Sequence, residues 1–185
     1  AKDAGAAIGA PAVTATPQVR EIDDDALIAA GDLIAQSSRP VLIVGHQCRT
    51  ADRAATANDL SDALGGPVMT TYKAKGVISE AGPLNVGLFT NAKLDDTVLT
   101  EADLVVFCGV DPVEMIPGKW TPKAPVIVLS ETAGLSWPFE AAVEIAGPVA
   151  VSAARLAAPV STGTWDPARI AGLKAHLRET VANAG

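Results

Sequence analysis

Short, wholly apolar runs recur along this chain, each closed by a turn and most followed by a stretch of helical composition. Val41-Leu42-Ile43-Val44 is too short for a helix and too apolar for a half-wet strand, so it reads as a strand buried on both faces. Gly45 closes it, and Thr50 stands at the N-cap of a helix over Ala51–Leu64 that ends at Gly65. The same reading gives strands at Val68–Thr71, Val86–Phe89, Leu104–Cys108, Val126–Leu129 and Ala142–Ala146. Before the first strand, Asp23-Asp24-Asp25 puts carboxylates at the positive end of a helix. Its Ile22, Ala26, Ala29, Ala30, Leu33 and Ile34 are expected to share one buried face. Further helices are predicted over Leu94–Leu99, over about 149–157, and from Asp166-Pro167 onward, the last carrying Ile170, Leu173, Leu177 and Val181 on one stripe. Apolar strands alternating with helices predict an α/β fold: a doubly wound, Rossmann-like six-stranded parallel sheet in three α/β/α layers. By analogy with the 3-2-1-4-5-6 strand order, the first strand belongs at the centre.

Composition narrows this picture in two ways. Of the 185 residues 49% are apolar but only 4% aromatic, which predicts one aliphatic core and a single main domain. Fourteen basic against 21 acidic side chains give a net charge of −7 with no basic run, which argues against nucleic acid as a partner. No stretch resembles a membrane span or a signal peptide, and the two cysteines, Cys48 and Cys108, lack metal spacing; a cytoplasmic setting is the expectation. Residues 1–23, rich in Ala, Gly, Pro and Thr at first, read as a linker or strap, and 24–185 as the domain. The chain does not begin with Met, which suggests a piece of a longer one.

Ligands in such sheets collect at the carboxyl ends of the strands. Those ends carry Gly45-His46, Thr70-Thr71-Tyr72-Lys73, Gly109-Val110-Asp111 and Ser130-Glu131. Backbone amides, hydroxyls, a lysine and carboxylates suit a nucleotide, with Lys73 facing phosphate and Asp111 a ribose hydroxyl. No G-x-G-x-x-G, G-x-S-x-G, H-E-x-x-H or Walker sequence occurs, so neither catalytic nor metal-ligating residues are assigned. His46 is as readily an ordinary loop histidine as a ligand contact; His176 reads as a surface residue; Asp111 and Glu114 as readily cap a turn.

Three blocks then resemble a known family: Arg39-Pro-Val-Leu-Ile-Val-Gly-His, Pro67-Val-Met-Thr-Thr-Tyr-Lys-Ala-Lys-Gly-Val-Ile, and Ala102-Asp-Leu-Val-Val-Phe-Cys-Gly-Val-Asp-Pro-Val-Glu. Over about residues 24–147 the chain is similar to the central domain of thiamine diphosphate-dependent enzymes of the acetolactate synthase, pyruvate oxidase and 2-oxoacid decarboxylase group. The resemblance implies a parent enzyme that binds thiamine diphosphate and Mg²⁺ through N- and C-terminal domains absent from this chain, which contains no Gly-Asp-Gly. It implies a homo-oligomeric parent and a central domain that holds FAD, ADP or nothing. Its cofactor contacts would fall on Gly45, His46, Thr70, Thr71, Lys73, Gly87, Gly109 and Asp111. Two positions depart from the pattern: Gly45-His46 lacks a second glycine, and Gly147-Pro148 stands where an aspartate is expected.

Two other readings remain open. The chain could be a free-standing nucleotide- or flavin-binding module of the same sheet type, such as an electron-transfer flavoprotein domain, and fold alone does not separate the two. It could also be a scaffold whose pocket has decayed, which predicts no ligand.

Overall fold

A computed structural model describes residues 21–158 and 163–183. Helix α1 (Asp24–Gln36) leads into strand β1 (Pro40–Val44), helix α2 (Ala51–Leu64), strand β2 (Val68–Thr71) and strand β3 (Asn85–Phe89). The short helix α3 (Asp96–Leu99), strands β4 (Leu104–Cys108), β5 (Val126–Ser130) and β6 (Val143–Ala146), and helices α4 (Val149–Ala157) and α5 (Pro167–Asn183) complete the order. All six strands form one sheet, in the order β3-β2-β1-β4-β5-β6, and every pairing is parallel. The predicted fold class and the central place of β1 both hold.

Burial along the strands follows from that order. Every residue of β1, β2, β4 and β5 is buried, as strands covered on both faces must be. The two edge strands are only partly buried: β3 leaves Leu88 exposed and β6 leaves Glu144 exposed.

Period-two alternation divides β1 between two cores. Leu42 and Val44 pack with α1, α2 and α4 through Ile34, Leu60, Leu64 and Leu156. Val41 and Ile43 face the other way, toward Ile170, Leu173 and Leu177 of α5. The expectation of an aliphatic core holds only for the first face. On the second, Phe89, Phe107 and Phe139, all three phenylalanines of the chain, stack with Trp120 and Trp137 at ring separations of 4.8–6.5 Å. Scarcity along the chain thus says nothing about where aromatics gather.

Local signals place the helix ends. Asp23 caps α1 by accepting from the amides of Asp25 and Ala26, and Gly65 ends α2 in the left-handed region at φ 61°. Thr50 stands at the N-cap of α2 as expected, but its hydroxyl caps no amide. Ile22, Ala26, Ala30, Leu33 and Ile34 pack on the core as predicted, but Ala29 is exposed and Leu27 is buried instead, on a helix that β6 and α4 approach. The predicted helix from Leu94 begins as a 3₁₀ turn over Lys93–Asp95, and Val181 lies 63% exposed beyond the buried stripe of α5. The linker over 1–20 and most of the loop over 159–164 lie outside the described residues.

Candidate functional site

The exits of β1, β2 and β4 meet on one carboxylate. Glu114 ends a 3₁₀ turn, Pro112–Glu114, and its side chain is 1% exposed. Oε2 accepts from the His46 amide at 3.1 Å, from His46 Nδ1 at 2.9 Å and from the Asp111 amide at 3.0 Å. Oε1 accepts from the Thr71 hydroxyl at 2.6 Å. Burial pushes this carboxyl up, but the bonds from Thr71, His46 and Asp111 outweigh it and hold the group below the usual carboxylate range. The Glu114 carboxylate thus holds His46 through Nδ1, with the histidine side chain 37% exposed.

The loop bearing Glu114 also reaches the far side of the sheet. The Ile116 amide donates to Thr90 O at 2.7 Å, just past β3, and Asn91 Nδ2 donates to Ile116 O at 3.0 Å. Residues 111–116 therefore strap the exits of β1, β2 and β3 to that of β4.

A second network closes the other half of this edge. Gln47, buried in the turn after β1, spans to β5: its Oε1 accepts from the Glu131 amide at 2.9 Å, and its Nε2 donates to Ser130 Oγ at 3.3 Å. Glu131 in turn accepts from the Val149 amide at the start of α4 and pairs with Arg53 at 3.1 Å.

Between the two networks lies the point where strand order reverses, and it is filled. A Cβ on Gly45 would stand 2.2 Å from Val110 Cα, and one on Gly109 would stand 2.8 Å from Cys48 Sγ. Gly45 thus admits the protein's own backbone, the exit of β4, at close approach. Gly109 is needed for its φ of 66° as well.

The eight predicted residues consequently divide. Gly45, Thr71 and Gly109 are consumed by packing and by the bond to Glu114. His46 is half-buried, Lys73 is exposed without an ion-pair partner among the described residues, and Asp111 is half-buried with its carboxylate capping the Val113 amide. Thr70 and Gly87 lie apart from these, lining a groove of about 450 Å³ between β3 and the end of α5. Sequence reasoning weighed Glu114 only as a turn residue and passed over Gln47. The signal for Glu114 was present: Asp111-Pro-Val-Glu114 is a capping box, in which the glutamate answers the amide of the capping residue. A lone buried amide such as Gln47 leaves no such pattern.

Reactive groups are scarce on this edge. The thiols of Cys48 and Cys108 are both buried, unpaired and 3.6 Å apart. The bond from Cys48 and then burial push Cys108 well above the ordinary thiol range, so it is no nucleophile at neutral pH. Among the described residues no group of three or more His, Cys, Asp or Glu side chains could hold a metal ion, and no helix is long and apolar enough to cross a membrane. His176 is exposed on α5, as expected.

Comparison with known proteins agrees with this architecture. The chain is 29% identical to the acetolactate synthase large subunit of Parasynechococcus marenigrum over 82% of its own length and 25% of that protein's. It is 31% identical to the acetolactate synthase of Bacillus subtilis over 57% of its length and 19% of that protein's. It thus spans a quarter or less of these two relatives. Benzoylformate decarboxylase of Polynucleobacter necessarius shares the fold, with a TM-score of 0.64 at 18% identity over 80% of this chain and 29% of that one. The sequence profile of the family described as thiamine pyrophosphate enzyme, central domain, matches residues 27–156. The chain belongs to that family, as a central domain of thiamine pyrophosphate enzymes.

Proposed function

We propose that this chain is the non-catalytic central domain of a thiamine diphosphate-dependent enzyme that decarboxylates or condenses a 2-oxoacid, and that it acts as a rigid spacer rather than a nucleotide site. The observation that carries this reading is the strap over residues 111–116, tied down through the buried Glu114 carboxylate. It seals the edge where a nucleotide would otherwise lie. Thiamine diphosphate supplies an electron sink for loss of CO₂ when bound in the parent. Mg²⁺ then belongs to flanking domains, since this chain has no Gly-Asp-Gly to hold a diphosphate. We place the boundary between linker and domain at residue 23, a reading that the Asp23 cap of α1 supports. A homo-oligomeric, cytoplasmic parent goes with this reading.

Two measurements test it. The purified chain with pyruvate, thiamine diphosphate and Mg²⁺ is expected to release no CO₂ above blank; turnover would overturn the non-catalytic reading. Calorimetry with FAD and with ADP is expected to give no saturable heat at about millimolar ligand. Saturable binding that Lys73→Ala weakens about ten- to a hundredfold, the worth of one charge-assisted contact, would restore a nucleotide site on the outer rim at His46, Lys73 and Asp111.

A further inference from the structure

The groove beside β3 differs from the rest of the surface in both lining and charge. Its floor and walls include Gly87 and Leu88 of β3, Leu94, and Leu177 and Val181 of α5. Leu88 is 39% and Val181 63% exposed, so the apolar lining is open to a ligand. A volume of about 450 Å³ is within the range of small-molecule pockets, roughly 300–1,000 Å³.

Its mouth gathers positive charge on a chain whose net charge is −7. Lys174 Nζ donates to Glu80 O at 2.8 Å and to Gly82 O at 2.6 Å; Arg178 donates to Glu80 O at 3.2 Å. Lys75 pairs with the Glu80 carboxylate at 3.4 Å. Three cations therefore gather at Glu80, Lys75 on its carboxylate and Lys174 and Arg178 on its backbone carbonyl. The other acid in the lining, Asp95, is buried, with Oδ2 accepting from Thr90 N, Thr90 Oγ1 and Ala92 N, and offers the cations nothing. Burial and then the charge of Arg178 push Lys174 below the ordinary lysine range, against the opposing pull of Glu80.

We infer that the groove between β3 and α5 binds a small organic carboxylate carrying an aliphatic or aromatic body, the carboxylate on Arg178 and Lys75 and the body against Leu88, Leu94, Leu177 and Val181. The planar guanidinium of Arg178 suits a carboxylate in two-point contact, and the apolar lining selects against free inorganic anions. This site lies outside the strap over residues 111–116 and owes nothing to the proposed role of the parent enzyme.

Amide chemical shifts in ¹⁵N-labelled chain test the inference, with 4-phenylbutyrate as the probe. Saturable shifts are expected at Gly87, Leu88 and Val181, with a dissociation constant of about a millimolar or tighter. Replacing the carboxylate by an alcohol, in 4-phenylbutanol, should weaken binding about tenfold, and Arg178→Ala and Lys75→Ala should each do nearly as much. Val181→Glu, on an exposed position, should abolish binding while leaving the thermal midpoint unchanged. Equal binding of acid and alcohol, displacement by inorganic phosphate, or no saturable shift at about 10 mM would overturn the proposal. So would shifts at these residues that depend on protein concentration without any probe, which would make the groove a contact between two copies.

Discussion

The carboxyl edge over β1, β2 and β4 and the flank of β3 belong to one sheet, yet they dispose of polar groups in opposite ways. At the first, Glu114 spends both carboxylate oxygens on His46, Thr71 and Asp111, and Gly45 lets the β4 exit press onto the β1 exit. At the second, cations outnumber carboxylates beside an open apolar lining. The lesson concerns where a doubly wound sheet keeps its adaptable surface. When the central strands close their own exits, the edge strand, with a neighbour on one side only, is left to offer a groove.

The sharpest way to break that contrast is to intrude on the sealed side. Gly45→Val would drive its side chain into Val110, and the expected cost is about 3 kcal/mol or more. Urea denaturation measures it; a loss under about 1 kcal/mol would mean the two exits are not in contact.

Next comes the hub. Glu114→Gln removes the charge from four charge-assisted bonds and should destabilise by about 2 kcal/mol. Its pH dependence has a definite sign. Because the folded carboxyl lies below its unfolded value, near 4.3 for a free glutamate, the contribution of Glu114 is present in full above that value and is lost as pH falls through the lower folded pKa. The stability gap between the wild type and Glu114→Gln should therefore narrow on acidification. A gap that widened instead would contradict the buried, ionised hub.

A glycine on the exposed face of α5 should respond in the opposite direction from Gly45. Gly172 sits within α5, and a methyl group added there would meet nothing within 4 Å, so Gly172→Ala should stabilise by about 0.5–1 kcal/mol in thermal or urea unfolding. Any destabilisation would mean that this face of α5 is covered. Smallest of all, Lys73→Ala on the exposed turn after β2 should leave the unfolding midpoint within about 0.5 kcal/mol of wild type. A larger loss would reveal a partner for its ammonium group.

Much of this molecule was legible along the chain because its signals are local. Three solid apolar runs and Val68-Met69-Thr70-Thr71 became the four inner strands, and Gly65, Asp23 and Pro167 marked helix ends through backbone chemistry that acts within a few residues. The site was legible only in fragments. Val44-Gly45-His46 announced a strand exit, but whether Gly45 admits a ligand or the chain's own Val110 depends on a loop 65 residues away. Ala29 and Leu27 show the same limit: both satisfy helical spacing, and only the approach of β6 and α4 chose between them.

Taken alone, then, the sequence determined the sheet, its parallel sense and the family, because runs of β-branched residues and caps carry free energy that neighbours in the chain can supply. Only the tertiary structure decided that Glu114 would bind the exits of three strands, that five aromatics would meet on one face, and that the open groove would lie beside β3. Those outcomes depend on which buried polar group finds its partner across the sheet. A carboxylate cannot remain buried without such partners, and their positions are set by packing rather than by order along the chain.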